Sequence, residues 1–393
     1  MAQFTTPRIA RLEEFDEAMA FTDRVFRPGQ RGRRILQRQY PHVYRETAAF
    51  ARRLLLLRDA AAADALVGCV GMHPMKLRLG AATVSASGIG IVGADPDRRG
   101  EGIMTRLLED ALVRMREAGH VISILGGDRQ RYGWFGWENG GIRHRYTLTS
   151  RMLGAPTPAE RSLSLERFDP DDAATRRRLH DLDAGRAYGV EHATGDVAPL
   201  YHRVGREAWV IREGKRFACL CLSGPQRRPR PYETIDAALG DPELVISGLR
   251  CLMARFRRPQ LTALAGPNTE ESALFDPWAA SWSTDDDMMI RILDLPGLVS
   301  QIEPEMRRLR RVRGVRLPDL RLELTDLNQM AVLPGGGARR RRLALTSTQA
   351  VQWLFGSRPL ATTGLASSVG KDIIGPWSAL LPLPLHVPPL HHI

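Results

Sequence analysis

At 393 residues the chain is longer than a single hydrophobic core grows to, so several domains are expected. Its 43% hydrophobic and 25% charged content belongs to a soluble globular protein, and no apolar run approaches the roughly 20 residues of a membrane span. The net charge of +12 invites a nucleic-acid reading, but only Lys76, Lys215 and Lys371 among 56 basic residues are lysines, the arginines are spread along the whole chain, and no aromatics interleave with the two denser runs, Arg307 to Arg313 and Arg339 to Arg342, so neither nucleic acid nor a membrane is expected as a partner.

The N-terminal "MAQFTTPRIARLEEFDEAM" carries acidic residues and no apolar core, unlike a signal peptide, and a cytoplasmic protein is expected. Positions 11–26 and 30–40 read as helices. "RLLLLRD", "ALVGCVGMHPMKLRL" and "ATVSASGIGIVGA" follow as strands. A glycine and arginine turn then feeds a segment in which Met104, Leu107, Leu108, Ala111, Leu112 and Met115 fall on one helical face. Gly119 supplies the stop, and "VISIL" resumes a strand. The order strand, turn, helix, strand is a β-α-β crossover.

Residues 151–165, "RMLGAPTPAERSLSL", read as a linker. A second mixed region follows, with strands "AWVIREG", "RFACLCLSG" and "QLTALAG" around a helix "DPELVISGLRCLMARF", but without a second glycine and arginine turn. Another boundary is expected at "TDDD" (284–287), ahead of short strands, helices and a proline-rich apolar tail. Cys219 and Cys221 stand two apart in an apolar run, on one face of a strand, and read as buried thiols; no metal site is expected. The runs "RRLRRVR" and "RRRR" read as a solvated helix face and a loop.

The chemistry concentrates in "VGADPDRRGEGIMTRLLEDAL", Val92 to Leu112. A turn feeding a helix start gathers free backbone N–H groups and the positive end of the helix dipole, which suits an anion. The spacing is neither G-x-G-x-x-G nor the P-loop pattern. Arg99-Gly100-Glu101-Gly102-Ile103-Met104, three residues after Pro96, resembles instead the Q/R-x-x-G-x-G/A acetyl-CoA loop of the GNAT N-acetyltransferases, although Met104 stands where a small residue is usual. The resemblance implies that the loop, Arg98 to Met104, holds the pyrophosphate, and that the preceding strand residues Ile91, Val92, Gly93 and Ala94 hydrogen-bond the pantetheine arm.

"RQRYGWFGWENGG", Arg129 to Gly141, resembles the Y-G-x-F-G-[YW] segment of the enhanced intracellular survival family of GNAT proteins. In that family the first tyrosine protonates the leaving thiolate, a role that falls here on Tyr132. The bland alternative is a hydrophobic plug of Tyr132, Trp134, Phe135 and Trp137; both hold if Tyr132 is catalytic and the other rings wall the pocket. The resemblance extends over the chain and implies tandem GNAT-like domains, each a mixed central sheet with flanking helices, plus a C-terminal sterol-carrier-protein-like α/β domain: 1–150, 151–285 without a cofactor loop, and 286–393. It also implies a homo-oligomer, often a hexamer, and a terminal carboxylate, here that of Ile393, as proton acceptor.

The expected activity is acetyl-CoA-dependent acetylation of a primary amine, on a small polyamine- or aminoglycoside-like molecule or a lysine side chain, by direct attack on the thioester. Asp23, Asp128 and Glu138 are candidate carboxylates for an ammonium substrate. The alternative is a non-catalytic protein that binds acyl-CoA or an apolar ligand.

Overall fold

The computed structural model describes residues 4–29, 34–224, 232–358 and 371–392. The first region opens with a short strand β1 (Arg8–Ile9) and a helix α1 (Phe15–Phe26), which buries Phe15, Ala18, Met19 and Phe21. Short helices α2 (Ile35–Gln39) and α3 (Ala48–Ala51) follow, then the strands β2 (Leu54–Asp59), β3 (Ala65–Leu79) and β4 (Ala82–Ala94). Helix α4 (Ile103–Glu117) crosses to β5 (Ile122–Leu125), burying on the sheet the face that carries Leu107, Leu108, Ala111, Leu112 and Met115. Gly119, at φ +79°, adopts the left-handed conformation that ends the helix.

Helix α5 (Arg129–Tyr132) leads into β6 (Glu138–Thr149). The second region adds β7 (Ser164–Arg167), β8 (Tyr188–Val190), β9 (His202–Arg203), β10 (Arg206–Glu213), β11 (Arg216–Ser223), β12 (Thr234–Gly240), β13 (Gln260–Ala265) and β14 (Ala279–Ile292). Among the described residues, these strands form one mixed sheet of 14, in the order β1-β2-β3-β4-β5-β14-β6-β13-β12-β11-β10-β7, with β8 on β3 and β9 on β10. A second parallel crossover, β12 to β13 through the helix Pro242–Arg255, repeats the connection made by α4.

β14 runs unbroken through the acidic stretch expected to separate two regions, and residue 285 lies inside it. It pairs with β5 through Met289–Ile292 and with β6 through Ala279–Ile290, so a strand from late in the chain joins the first region's sheet to the second's. Its aspartates have partners: Asp285 faces Arg145 at 3.3 Å, Asp286 accepts from Ser357, and Asp287 meets Arg143 at 3.4 Å and His386 at 3.0 Å. The expected linker 151–165 likewise holds two short helices, Ser150–Leu153 and Pro158–Arg161. Thr149 and Thr157 cap them, and Glu160 ties the second to Arg250 at 2.6 Å.

The last region is a three-stranded sheet, β16 (Gln329–Leu333), β15 (Leu317–Leu324) and β17 (Gly336–Leu345) in spatial order, with helices Leu295–Arg313 and Ser347–Phe355. Its core is continuous with the sheet face of β4, β5 and β14. Fully buried Glu305 stitches the regions together, accepting from Ala81 N at 2.8 Å and binding Arg308 through both oxygens at 2.7 Å. No helix among the described residues is long and apolar enough to cross a membrane.

Candidate active site

β4 and β5 are paired in parallel through Ala86–Gly88 and Ile122–Ile124, and no pairing between them extends beyond. β4 nevertheless continues to Ala94, so the edge of Ile89–Ala94 that faces away from β3 has no strand partner among the described residues. The divergence is helped by an irregularity between Cys69/Gly93 and Gly71/Gly90, where Ile91 takes φ +44°, a conformation strained for a branched side chain. An unpartnered run of backbone N–H and C=O groups suits an extended, amide-bearing ligand laid in as an extra strand.

The chain then turns. Asp95 accepts from Asp97 N at 3.1 Å and pairs with Arg24 at 3.2 Å, which fixes the turn against α1. Gly100 and Gly102 both have positive φ, +86° and +75°, and a Cβ on either would meet no atom within 4 Å. Gly102 caps α4 without a side chain, so the first N–H groups of the helix are left to an outside acceptor. A cleft of about 660 Å³ opens there, bounded by Val25 and Phe26 of α1, Val92 and Ala94 of β4, Arg98 to Gly100, Gly102 to Thr105, and Arg131. Arg98 is anchored to Asp59 at 2.7 Å and to Glu101 at 2.8 Å; Arg99 is exposed. Glu101 is thus held by Arg98, while Ile103 is buried under the loop and Met104 lines the cleft.

The second crossover shows the opposite chemistry. There the carboxylate of Asp241 caps the helix, accepting from Leu244 N at 3.0 Å. Its hydrogen bonds to Arg216 pull its pKa down to about 2 despite the opposing desolvation, so an anion already occupies the helix start.

Tyr132, 9% exposed, ends α5 with its ring packed so tightly on Gly127 that no side chain fits there, and meets Trp137 edge-on at 6.4 Å. Burial raises its pKa above the ordinary phenol value, against a lowering by Arg131, so it holds its proton. The expected aromatic wall divides: Trp137 is fully buried beneath Arg291, Phe135 is half-buried, and Trp134 is 89% exposed. Asp128 and Glu138 are committed to other partners, while buried Asp23 leaves its Oδ1 without a hydrogen-bond partner. Asp23 is buried and takes backbone N–H groups of Ile35 and Leu36, Asp128 caps α5 through Gln130 N at 2.8 Å, and Glu138 binds Arg129 at 2.6 and 2.7 Å.

Two features were not legible in the sequence. His73 on β3 is 3% exposed, with its ring against Tyr44 and Phe50 at 5.9 and 6.1 Å, and neither ring nitrogen has a hydrogen-bond partner. Gly71 and Gly90 make the space it occupies, beside Ile91. The other feature is a cavity of about 100 Å³ at the end of β5, lined by Met75, Ile124–Gly126, Asp287, Met288, Val387, His391 and His392. The tail reaches it because Arg203 and Arg206 donate to the carbonyl of Leu390 at 3.3 Å, Arg206 donates to that of Pro389 at 3.1 Å, and Val387 N donates to Asp287 at 2.8 Å. Ile393, the expected proton acceptor, lies outside the described residues.

Residues 6–140 match the family model described as acetyltransferase (GNAT) domain. The whole chain also resembles solved structures. A GCN5-related N-acetyltransferase from Kribbella flavida is 17% identical, with 100% of this chain and 99% of that one covered at a TM-score of 0.65. A protein of Enterococcus faecalis described as a probable N-acyltransferase is 13% identical, with 98% and 97% covered at 0.68. Eis1 from Mycobacterium abscessus is 13% identical, with 95% and 96% covered at 0.63. No curated protein matches the sequence. The first region is therefore a GNAT domain, whose members use acetyl-CoA, and the protein is an N-acetyltransferase.

Proposed function

We propose that the chain transfers the acetyl group of acetyl-CoA to a primary amine, by direct attack of the amine on the thioester. The observation that carries this reading is the gap between β4 and β5, which runs into an uncapped helix start flanked by two open glycines. Acetyl-CoA supplies an activated acetyl group and an anionic pyrophosphate. The N–H groups at the head of α4 hold the pyrophosphate, and Arg99 and Arg131 add charge. The unpartnered backbone of Ile91, Val92, Gly93 and Ala94 takes the amides of the pantetheine arm. As the nitrogen–carbon bond forms and the carbon–sulfur bond breaks, Tyr132 gives its proton to the departing sulfur.

The acceptor is proposed to be a small polyamine- or aminoglycoside-like amine or a lysine side chain, entering at the cavity beside Gly126. Acceptance of the amine's proton is assigned to the carboxylate of Ile393, because the tail up to His392 is held at that cavity. The finer kinship proposed is with the enhanced intracellular survival proteins: a second GNAT-like unit disarmed by Asp241, a sterol-carrier-like last region, and a homo-oligomer. Support comes from the repeated parallel crossover and from the likeness in fold to Eis1 along the chain. The test is to incubate the purified protein with acetyl-CoA and a panel of monoamines, polyamines, aminoglycosides and lysine peptides, and to look for acetylated product by mass spectrometry. Bound acetyl-CoA with no product from any amine would leave the non-catalytic binding role as the better reading.

A further inference from the structure

Away from the cleft, the second region and the tail bring three potential metal ligands together. Asp183 lies near the end of the helix Ala173–Ala184 with its side chain 1% exposed. His192 follows β8, and its side chain is 7% exposed. His391 belongs to the last turn, Pro389–His391, and is 5% exposed. One ligand atom from each residue lies within 4.8 Å of the other two. The imidazoles of His192 and His391 are 5.1 Å apart, centre to centre.

The hydrogen bonding in this cluster is incomplete. His192 Nδ1 is 3.4 Å from the carbonyl oxygen of Val190 and 3.4 Å from Asp183 Oδ2. A proton on Nδ1 satisfies these acceptors and leaves the Nε2 lone pair free, and His192 Nε2 is buried without a partner. His391 Nε2 is buried without a partner as well. Two orphaned imidazole nitrogens beside one carboxylate are costly in a dry interior unless something accepts their lone pairs.

Two guanidiniums also face the carboxylate: Arg78 Nη2 at 3.0 Å from Oδ2 and Arg186 Nη1 at 3.5 Å from Oδ1. Arg186 is paired in turn with Glu271. Two guanidiniums against two carboxylates leave the pocket balanced before any ion enters. This environment disfavours hard cations, which need several oxygen ligands. Two imidazole nitrogens and one carboxylate oxygen suit zinc and its neighbours.

We propose that Asp183, His192 and His391 bind one divalent transition-metal ion of the zinc class, which pins the C-terminal tail to the second region. His391 also lines the cavity beside Gly126, so the ion fixes one wall of the proposed acceptor site. Asp183 and His192 lie near each other in the sequence, but His391 comes from the far end of the chain, so no spacing pattern announced the set. The inference stands on this cluster alone and does not depend on the assignment of the acetyl-CoA cleft.

The full chain, stripped with a chelator, is titrated with zinc chloride by calorimetry and with cobalt(II) chloride by visible absorption. The expected result is one ion per chain, a cobalt spectrum of low coordination number, and at least a hundredfold weaker binding in folded His192→Ala and His391→Ala variants. No saturable binding by the parent, an octahedral cobalt spectrum, or affinity unchanged in both variants overturns the proposal. The parent's cobalt spectrum decides the matter even if a variant fails to fold.

Discussion

Replacing His73 with leucine is expected to flatten the acid side of the protein's stability profile. Burial, reinforced by the positive charge of Arg53, pushes the His73 imidazole down to about 3. In the unfolded chain it takes up a proton near 6.5. Over that window the unfolded state binds a proton that the folded state refuses, so the stability present above about pH 6.5 is lost as the pH falls toward 3. Integrated from pH 7 to pH 5, one such group removes about 2 kcal/mol. Tyr44, the other titratable group against the ring, has its pKa raised by burial and stays neutral throughout. Leucine fills a similar volume, removes both unpartnered nitrogens and takes no proton. The assay is calorimetric unfolding of parent and variant across this range. The melting temperature of the variant should gain on the parent's by roughly 2–3 °C between pH 7 and pH 5, given the large unfolding entropy of a chain of 393 residues. Parallel pH dependences would refute the claim that His73 is held unprotonated in the fold.

Other perturbations act on the cleft, the joints and the tail. Gly102→Asp puts a carboxylate at the head of α4, as Asp241 already does in the second crossover; calorimetry should detect no acetyl-CoA binding by a folded variant. Glu305→Ala removes the acceptor of Ala81 N and the partner of Arg308, and should lower stability by roughly 2–4 kcal/mol in urea unfolding. Residues appended after Ile393 should lower turnover strongly, with acetyl-CoA affinity and melting temperature unchanged; full activity in the extended protein would remove the terminal carboxylate from the mechanism.

Local patterns in the sequence were reliable guides where local physics sets the structure. The strands read from alternation and β-branching, Ala65–Leu79 and Ala82–Ala94, have those bounds in the fold, and the helical stripe from Leu107 to Met115 is the buried face of α4. Cys219 and Cys221 share one buried face of β11. The acidic run at 284–287 misled because its charges are answered by distant residues, Arg143, Arg145, Ser357 and His386, which a local reading does not see. The prolines and small residues of 151–165 hid two capped turns of helix that dock on Arg250. Trp134 looked like a wall and is exposed, because the tight turn through Gly133 and Gly136 throws it outward while Trp137 enters the core. Nothing near His73 or His391 in sequence signals burial without partners; both depend on packing between remote segments.

The most direct test of the account follows release of free thiol from acetyl-CoA in a single turnover, in the parent and in Tyr132→Phe, with a saturating primary amine as acceptor. The account predicts amine-dependent thiol release by the parent, and equal acetyl-CoA affinity but roughly 10²-fold slower release in the variant. Release at the parent's rate in Tyr132→Phe, measured where chemistry limits turnover, would contradict the assignment of Tyr132 as the acid.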